Sequence, residues 1–152
     1  LQTGKQIESL THIIYSDRNK WILSKKNKDS KTKIVPVFKN KKIKYPILLS
    51  GSTSKKYFFK KSKKIEFFDY SKLNFPLQLR QWENGDRIHP LGMKGSKKVS
   101  DILIDQKISR LEKESIYVLC SNNDIIWIVG IVISEHFKIG KNSKIFYKIY
   151  ID

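Results

Sequence analysis

The sequence has one cysteine, four arginines and no alanine, and its acidic residues are few. A single cysteine excludes an intrachain disulfide, and one thiol cannot make a zinc site by itself. Because Cys120 lies in the apolar run IYVLC, we expect a small buried hydrophobic side chain. A chain without disulfides indicates a reducing compartment, here the cytoplasm.

Long apolar runs are also absent, which excludes a membrane-spanning helix, and no secretory signal is visible. The chain opens without Met, so we expect a fragment of a longer protein. A length of 152 residues allows one domain, or one domain with a smaller companion. With 39% hydrophobic and 12% aromatic residues, the chain is too apolar for a disordered segment.

Positive charge is what the sequence has in excess. Lys and Arg number 31 against 14 Asp and Glu, giving a net charge of +17. Such a surplus favours a polyanionic partner, most simply nucleic acid. Nearly all the cations are lysines in a chain rich in Ile, Asn, Phe and Tyr, as an AT-rich genome produces. The lysines of residues 20–64, where Asp29 is the only acid, are therefore either a solvated face or a basic surface that follows a phosphate backbone.

Short apolar runs separated by turn residues predict an α+β fold, a β-rich sandwich-like domain or small barrel with one or two short helices inserted. A β-hairpin is expected at 11–26, strands with prolines at edges or ends at 34–51, and strands in the C-terminal third, among them "FKIG" at 137–140. We divide the chain into 1–66, a hairpin-rich and lysine-rich part that can belong to the same domain, and 67–152.

Two helix signals lie in the middle of the chain. Val99, Ile102 and Leu103 recur at helical spacing, with Ser96 placed as N-cap and Lys97 and Lys98 in the first turn. A second short helix is predicted by "SRLE" at 109–112, which has the form of a capping box.

The stretch "NGDRIHPLGMKGSKKVSD", residues 84–101, joins a turn signature to this helix. Gly92 and Gly95 leave backbone amides uncovered, so with Ser96 they form a loop that a bulky anion can approach. Lys97 and Lys98 in a first helical turn cost about 0.3–1 kcal/mol each, which favours a bound phosphate. The spacing fits neither a P-loop nor a dinucleotide fingerprint, so nucleic-acid backbone is the better candidate than a nucleotide.

A hydrolytic metal site is the competing chemistry for this stretch. Asp86, His89, Asp101 and Asp105 offer the right ligand types, and the last two share a helix face. More simply, Asp86 stabilises its own turn or pairs with Arg87, and the helix aspartates pair with lysines at the surface. We expect no catalytic residue and no metal ligand in this chain.

The loop and the strand after it carry motifs of a known family. The matching positions are Gly85-Asp86-Arg87, Pro90, Gly92-Met93, Lys97-Lys98, Ser100-Asp101, Asp105, Lys107-Ile108, Trp127, Gly130 and Phe137-Lys138-Ile139. Over residues 77–140 the chain resembles the C-terminal domain of bacterial tRNA(Ile)-lysidine synthetase. The opening segment resembles the part of the family just upstream, with a weaker motif, and residues 28–64 match loosely.

This resemblance implies a β-sandwich with helices related to a module of phenylalanyl-tRNA synthetase. It implies a whole enzyme that uses ATP to attach lysine to C2 of the wobble cytidine in tRNA(Ile) with a CAU anticodon. ATP and Mg belong to the family's N-terminal domain, whose Ser-Gly-Gly-x-Asp-Ser loop does not occur here. No cofactor and no catalysis are therefore expected in this chain, which would grip the tRNA acceptor stem beside its own catalytic domain. We expect no membrane partner, and a homodimer is left open.

The chain departs from the family at several positions. Trp82 stands where the family often has Arg, and Val132, Ser134 and His136 replace its basic final strand. The resemblance then leaves tRNA binding to six cations, which are Arg80, Arg87, Lys94, Lys97, Lys98 and Lys107. We predict that Lys97→Ala with Lys98→Ala weakens tRNA binding without unfolding the domain.

Two alternatives stay open. Tyr57, Phe58 and Phe59 can stack on bases, although at strand spacing such aromatics are more often core or edge residues. Instead of a tRNA-binding domain, the chain can be a basic interaction module that orders its own catalytic domain with little RNA contact.

Overall fold

Short strands dominate the computed structural model, which describes residues 6–17, 20–25, 33–57 and 62–152. In chain order the strands of this described part are β1 (Gln6–Glu8), β2 (His12–Asp17), β3 (Lys20–Lys25), β4 (Val35–Val37), β5 (Lys42–Ile43), β6 (Leu49–Ser54), β7 (Ile65–Asp69), β8 (Leu77–Gln81), β9 (Arg87–Ile88), β10 (Lys97–Lys98), β11 (Tyr117–Ser121), β12 (Asp124–Ile128), β13 (Val132–Ile133) and β14 (Phe146–Ile151). The helices are α1 (Val99–Asp105) and α2 (Arg110–Lys113), with 3-10 turns at Tyr70–Lys72 and Glu135–Phe137. The predicted α+β class is confirmed.

An antiparallel sheet of β1, β2 and β3 opens the described chain. Its second hairpin runs in register from His12 opposite Lys25 to Asp17 opposite Lys20, which confirms the predicted hairpin. The two turn residues at 18–19 lie outside the described residues.

Two larger antiparallel sheets form the body of the protein. The five-stranded sheet has the order β13-β12-β11-β8-β4, and the four-stranded sheet has the order β5-β6-β14-β7. Pro36 lies in the edge strand β4, and Pro46 follows the edge strand β5, so both prolines avoid central positions where an N–H is needed. The sequence-based placement of these prolines is confirmed.

The two larger sheets enclose one core. Its members are fully or nearly buried and come from both sheets, for example Leu49 and Phe68 from the four-stranded sheet and Leu79 and Leu119 from the five-stranded sheet. Strands such as β8 and β14 contribute alternate residues, as sandwich packing requires, whereas β12 contributes both Ile126 and Trp127. The structure therefore confirms the sandwich-like architecture.

A second core lies on the opposite face of the five-stranded sheet. Val99, Ile102 and Leu103 of α1 are buried there against Val118 and Cys120 of β11, which confirms the predicted buried face of α1. Burial raises the pKa of the Cys120 thiol to about 11, so it packs as an apolar group. The two larger sheets thus form two layers of the body, and α1 with the neighbouring β9–β10 hairpin makes a third.

Strands that precede residue 67 belong to both large sheets. β4 pairs with β8, and β6 pairs along its length with β14, the last strand. The division of the chain at residue 66 stays a prediction. Among the described residues, no helix combines the length and hydrophobicity needed to cross a membrane.

The segment at 137–140 corrects one prediction. We expected "FKIG" to be a strand, but Phe137 ends a 3-10 turn, and its side chain enters the core between the sheets. The turn begins with the Ser134 hydroxyl accepting a hydrogen bond from the His136 N–H. That local capping competes with strand pairing, because a serine side chain can replace the backbone acceptor that a ladder would supply.

Candidate nucleic-acid interface

A two-stranded hairpin, β9 with β10, carries the glycine-rich loop of residues 89–96. Lys97 lies opposite Ile88 and Lys98 opposite Arg87. α1 begins directly afterwards, and the Val99 N–H donates to the Asp86 carbonyl at 2.9 Å. The backbone groups of this junction are thus satisfied by residues that are distant along the chain.

The β9–β10 hairpin shows that two predictions made from the sequence are wrong. Lys97 and Lys98 are not in the first helical turn, and Ser96 is not the N-cap of α1. The cap position is Lys98, with extended backbone and no side-chain cap bond. Pairing with β9 takes precedence over helix extension, so the argument from the first helical turn does not apply to Lys97, while Lys98 lies at the cap position just before that turn.

Ser96 instead belongs to the hairpin. Its Oγ accepts a hydrogen bond from Arg87 Nε at 2.9 Å, and its carbonyl accepts one from the second guanidinium nitrogen of Arg87 at 3.2 Å. The predicted pair between Asp86 and Arg87 is therefore wrong, since the Arg87 guanidinium is held across the hairpin by Ser96.

Asp86 pairs with Arg80, a residue of β8. Two parallel hydrogen bonds of 2.8 Å join the guanidinium to the carboxylate, whose Oδ2 also accepts from the Glu83 N–H at 2.8 Å. Burial by itself would raise the pKa of Asp86, but these hydrogen bonds and the Arg80 charge outweigh it and lower the pKa. The prediction that Asp86 stabilises its own turn is confirmed.

The loop between β9 and β10 is anchored to the 3-10 turn at Glu135–Phe137. The Leu91 N–H donates to the Ile133 carbonyl, and the Glu135 N–H donates to the His89 carbonyl at 2.8 Å. The Gly92 amide, which the sequence analysis left uncovered, donates to Glu135 Oε2 at 2.7 Å. Gly92 has a φ of 78°, which glycine adopts without strain.

Glu135 therefore places an anionic oxygen on the amide where we predicted a phosphate. The Gly92 N–H and an ion pair with Lys138 lower the pKa of the Glu135 carboxyl. Phosphate contact at Gly92 and Gly95 stays a prediction, and at Gly92 it requires displacement of this carboxylate.

His89 and His136 form a stacked pair that sequence reasoning missed. Their ring centroids lie 4.1 Å apart with an interplanar angle of 27°. The two residues are far apart in sequence and meet only because the loop is anchored beside the 3-10 turn. No local pattern signals such a contact.

The six cations predicted to bind tRNA fall into two groups. Arg80, Arg87 and Lys97 already have polar partners in the protein, and Lys97 forms its ion pair with Asp105, the last residue of α1. Lys94, Lys98 and Lys107 are exposed, and among the described residues they have no ion-pair partner. The Lys97–Asp105 pair joins the hairpin to the end of α1, just before Lys107.

An open depression lies beside the turn at residues 84–86. Its lining residues are Gln81, Trp82, Asn84, Arg110, Lys113 and Glu114. The Trp82 indole N–H donates to the Lys113 carbonyl at 2.8 Å, so the ring is fixed against α2. Ser109 and Glu112 form the predicted capping box at the start of α2, which is confirmed.

The hydrolytic alternative needed several of the acidic and histidine residues in one place. Among the described residues, no group of three or more His, Cys, Asp or Glu side chains could hold a metal ion. Asp86 is paired with Arg80 in a largely buried pair, whereas Asp105 of α1 is paired with Lys97, as expected for a helix aspartate in a surface network.

Residues 77–148 match the family model described as the TilS substrate C-terminal domain. These residues belong to that family. The motif-based resemblance is confirmed, and the residues of the family domain include the β9–β10 hairpin, α1 and the anchoring 3-10 turn.

Relatives of the TilS substrate C-terminal domain align with nearly the whole chain. The tRNA(Ile)-lysidine synthase of Parabacteroides distasonis is 40% identical over 147 residues, covering 94% of this chain and 33% of that protein. The tRNA(Ile)-lysidine synthase of Clostridium perfringens is 38% identical over 166 residues, covering 97% and 35%. The chain thus spans about a third of the length of these relatives.

Two solved structures share the fold. A structure titled as the TILS C-terminal domain superposes with a TM-score of 0.71 at 20% identity, covering 80% of this chain and 97% of that one. An N-terminal fragment of the phenylalanyl-tRNA synthetase β-subunit from Pyrococcus horikoshii gives a TM-score of 0.50 at 21% identity, covering 57% and 27%. The expected relation to a phenylalanyl-tRNA synthetase module is therefore confirmed for the fold.

Proposed function

We propose that this chain is the tRNA-binding C-terminal region of a tRNA(Ile)-lysidine synthase. The whole enzyme would join lysine to C2 of the wobble cytidine of tRNA(Ile) with a CAU anticodon, using ATP and Mg bound by a domain outside this chain. The observation that carries the proposal is three exposed lysines of the family domain, which are Lys94 in the hairpin loop, Lys98 in β10 and Lys107 just after α1.

The lysines are suited to phosphates because the backbone beneath them is fixed. Arg87 is bonded to Ser96, Lys97 to Asp105 and Gly92 to Glu135. A fixed backbone reduces the conformational entropy lost on binding. The lysine side chains themselves are flexible point charges, which suit a phosphate backbone better than a base edge.

An acceptor stem is the tRNA element that we propose for this surface. A-form RNA hides its base edges in a deep, narrow major groove, so proteins contact its phosphates and 2′-hydroxyl groups. Lysines on a hairpin and at a helix end provide such contacts with little reading of sequence. Selection of the CAU anticodon would then belong to another part of the enzyme.

The test is fluorescence anisotropy of the chain with tRNA(Ile) bearing a CAU anticodon, at several salt concentrations, beside an unrelated tRNA. We expect binding that weakens steeply with salt. In the triple variant Lys94→Ala, Lys98→Ala and Lys107→Ala, the slope of log K against log salt should fall by about 0.7–0.9 for each lost phosphate contact.

The matched control is the double variant Lys141→Ala with Lys144→Ala, which removes exposed lysines from a loop distant in sequence. It should leave the salt slope near that of the unaltered chain. Losses in proportion to the charges removed, three against two, would mean that affinity follows net charge alone. No binding at low salt would reject the proposal.

A second function is favoured by the N-terminal sheet. Ile7, Ile14 and Leu23 lie opposite one another across its three strands, yet they are 65%, 37% and 64% exposed. Such a row suits contact with another protein surface, such as the catalytic domain of the same enzyme or a second copy. Light scattering of the unaltered chain and of the Leu23→Lys variant tests self-association. If both have the mass of a monomer, a second copy of the chain is excluded as the partner.

A further inference from the structure

The outer face of the four-stranded sheet is unlike an ordinary solvated face. β14 alternates strictly: Tyr147 and Ile149 are fully buried, whereas Phe146, Lys148 and Tyr150 point to the opposite side and are partly exposed. Solvent faces of antiparallel sheets are normally polar. Here two of the three outer residues of β14, Phe146 and Tyr150, are aromatic.

The strand register extends this face across the sheet. Tyr150 lies opposite Ser50 of β6 and Ile65 of β7, and Lys148 lies opposite Ser52 and Phe67. Lys42 of the edge strand β5 is opposite Ser50 and so joins the first row. We call this surface the Tyr150 face, made of Lys42, Ser50, Ser52, Tyr57, Ile65, Phe67, Phe146, Lys148 and Tyr150.

Aromatic rings on the Tyr150 face support one another. Tyr57 contacts Phe67 edge-on at a centroid distance of 5.3 Å and lies 5.7 Å from Phe146. Tyr57 nevertheless remains 46% exposed and Tyr150 36% exposed. Both offer part of a ring to solvent, and the Tyr57 ring is held in place by its two neighbours; nucleic-acid bases stack on exposed rings of this kind. Phe58 and Phe59, which the sequence analysis grouped with Tyr57, lie outside the described residues.

Small polar side chains separate the rings. Ser52 is exposed, whereas Ser50 and Phe67 of the same face are buried, at 8% and 7% exposure. Residues two positions apart along a strand are about 6.8 Å from each other. Along β14 the outer side chains are therefore a ring (Phe146), a cation (Lys148) and a second ring (Tyr150), each about one such step from the next. The Lys148 ammonium lies 5.6 Å from the Tyr150 ring centroid.

The charge around this face is mainly positive, although the exposed Asp152 directly follows β14. Exposed lysines flank it near the ends of β5, β6 and β7, namely Lys41, Lys44, Lys55, Lys56, Lys63 and Lys64. Residues 30–65 contain no Asp or Glu. The acidic side chain in the outer rows, Asp69, is buried and accepts hydrogen bonds from Ser71 and Ser143.

We propose that the Tyr150 face binds an unpaired strand of RNA, with bases stacked on Tyr150 and Tyr57 and with phosphates held by Lys148 and the flanking lysines. The exposed aromatic rings favour single-stranded over double-stranded RNA, because bases in a duplex are stacked on one another and cannot stack on a protein ring. Partner proteins are less suited to the face, since protein interfaces are depleted of lysine at their centres. This site is separate from the hairpin lysines and does not depend on them.

The test uses a fluorescein-labelled oligouridylate of about 12 nucleotides, within the range that one single-strand binding surface covers. Its affinity for the chain is measured at low salt by anisotropy, with a duplex RNA of equal length as competitor. We expect Tyr150→Thr and Tyr57→Ser each to weaken oligouridylate binding by about 5-fold or more. Tyr150→Phe, which keeps the ring, should bind nearly as well as the unaltered chain.

Further variants separate charge from stacking. Lys148→Gln should lower the salt slope by about 0.7, the value for one phosphate of a single strand. The control Tyr45→Ser removes an aromatic that is 77% exposed but lies between β5 and β6, and it should not change the affinity. Thermal unfolding of each variant shows whether a loss of binding reflects a loss of folded protein.

The outcomes distinguish this proposal from that for the hairpin. The triple variant of Lys94, Lys98 and Lys107 should keep its affinity for oligouridylate, whatever happens to its affinity for tRNA. Unchanged affinity in both folded ring variants, or full competition by the duplex, would overturn the proposal. A change in oligomeric state on Tyr150→Thr without a change in oligouridylate binding would make the face a protein interface and would also overturn it.

Discussion

Replacement of Asp86 by asparagine tests whether the pair with Arg80 organises the loop that carries the exposed lysines. In the protein, Asp86 accepts two hydrogen bonds of 2.8 Å from Arg80 and a third from the Glu83 N–H. The side chains of Arg80 and Asp86 are 17% and 13% exposed. The substituted amide would keep the size and one acceptor oxygen, but it would leave the Arg80 charge without its anion.

The expected loss follows from these contacts. A hydrogen bond to a charged group contributes about 1.5–3 kcal/mol, and breaking a fully buried ion pair costs about 3–5 kcal/mol. Because both groups retain some solvent and one acceptor remains, we expect Asp86→Asn to lower the free energy of unfolding by about 2–3 kcal/mol. For a chain of this size, that corresponds to a fall in Tm of about 4–12 °C.

The effect should depend on pH in one direction. The pKa of Asp86 is lowered in the folded protein, so its contribution is present above the unfolded pKa and is lost as the pH falls through the folded one. Urea unfolding at neutral pH and under acid conditions, below about pH 4, should therefore show a smaller difference between variant and parent in acid.

The control is Asp124→Asn, which changes an exposed carboxylate at a hairpin end. Such a surface change is usually within about 0.5 kcal/mol. If Asp86→Asn cost no more than this control, or if its cost were the same in acid, the Arg80–Asp86 pair would not stabilise the fold as argued.

Two further predictions concern the four-stranded sheet. Burial raises the pKa of Glu66 to about 7, so the folded protein holds the proton more tightly than the unfolded chain and stability should fall as pH rises from about 4.5 to about 7. Glu66→Gln should remove that dependence and be more stable at pH 8 by about 1–2 kcal/mol in urea unfolding, and an unchanged pH profile would contradict the burial argument. A Cβ on Gly51 would lie 2.5 Å from the Tyr147 hydroxyl oxygen, so Gly51→Ala should destabilise by about 1–3 kcal/mol in the same assay. Gly51→Ala should cost much less when combined with Tyr147→Leu, and an equal cost would show that the clash is not its cause.

Local signals in the sequence predicted the elements whose determinants lie within a few residues. The capping box at Ser109 and Glu112, the apolar face of α1 and the hairpin of β2 and β3 are all of this kind. The edge positions of Pro36 and Pro46 follow equally from the missing N–H. Each prediction depended on contacts over short sequence separations, which periodicity and residue type encode directly.

Predictions about the candidate site were less complete because its determinants are distant in sequence. Nothing near Lys97 and Lys98 indicates that they pair with Arg87 and Ile88 rather than begin a helix. Pairing of Arg80 with Asp86, and of the Gly92 amide with Glu135, likewise depends on how β8 and the 3-10 turn approach the loop.

By itself, then, the sequence determined the class of fold, the family motifs of residues 77–140 and the excess of positive charge. Only the tertiary structure decided which cations have partners in the protein, leaving Lys94, Lys98 and Lys107 exposed and without ion pairs among the described residues. It also placed Lys148 and Tyr150 on one outer face, because strand register and the packing of Tyr147 and Ile149 fix which side of β14 meets solvent. A residue's charge and shape are local properties, but its availability to a partner depends on every element packed around it.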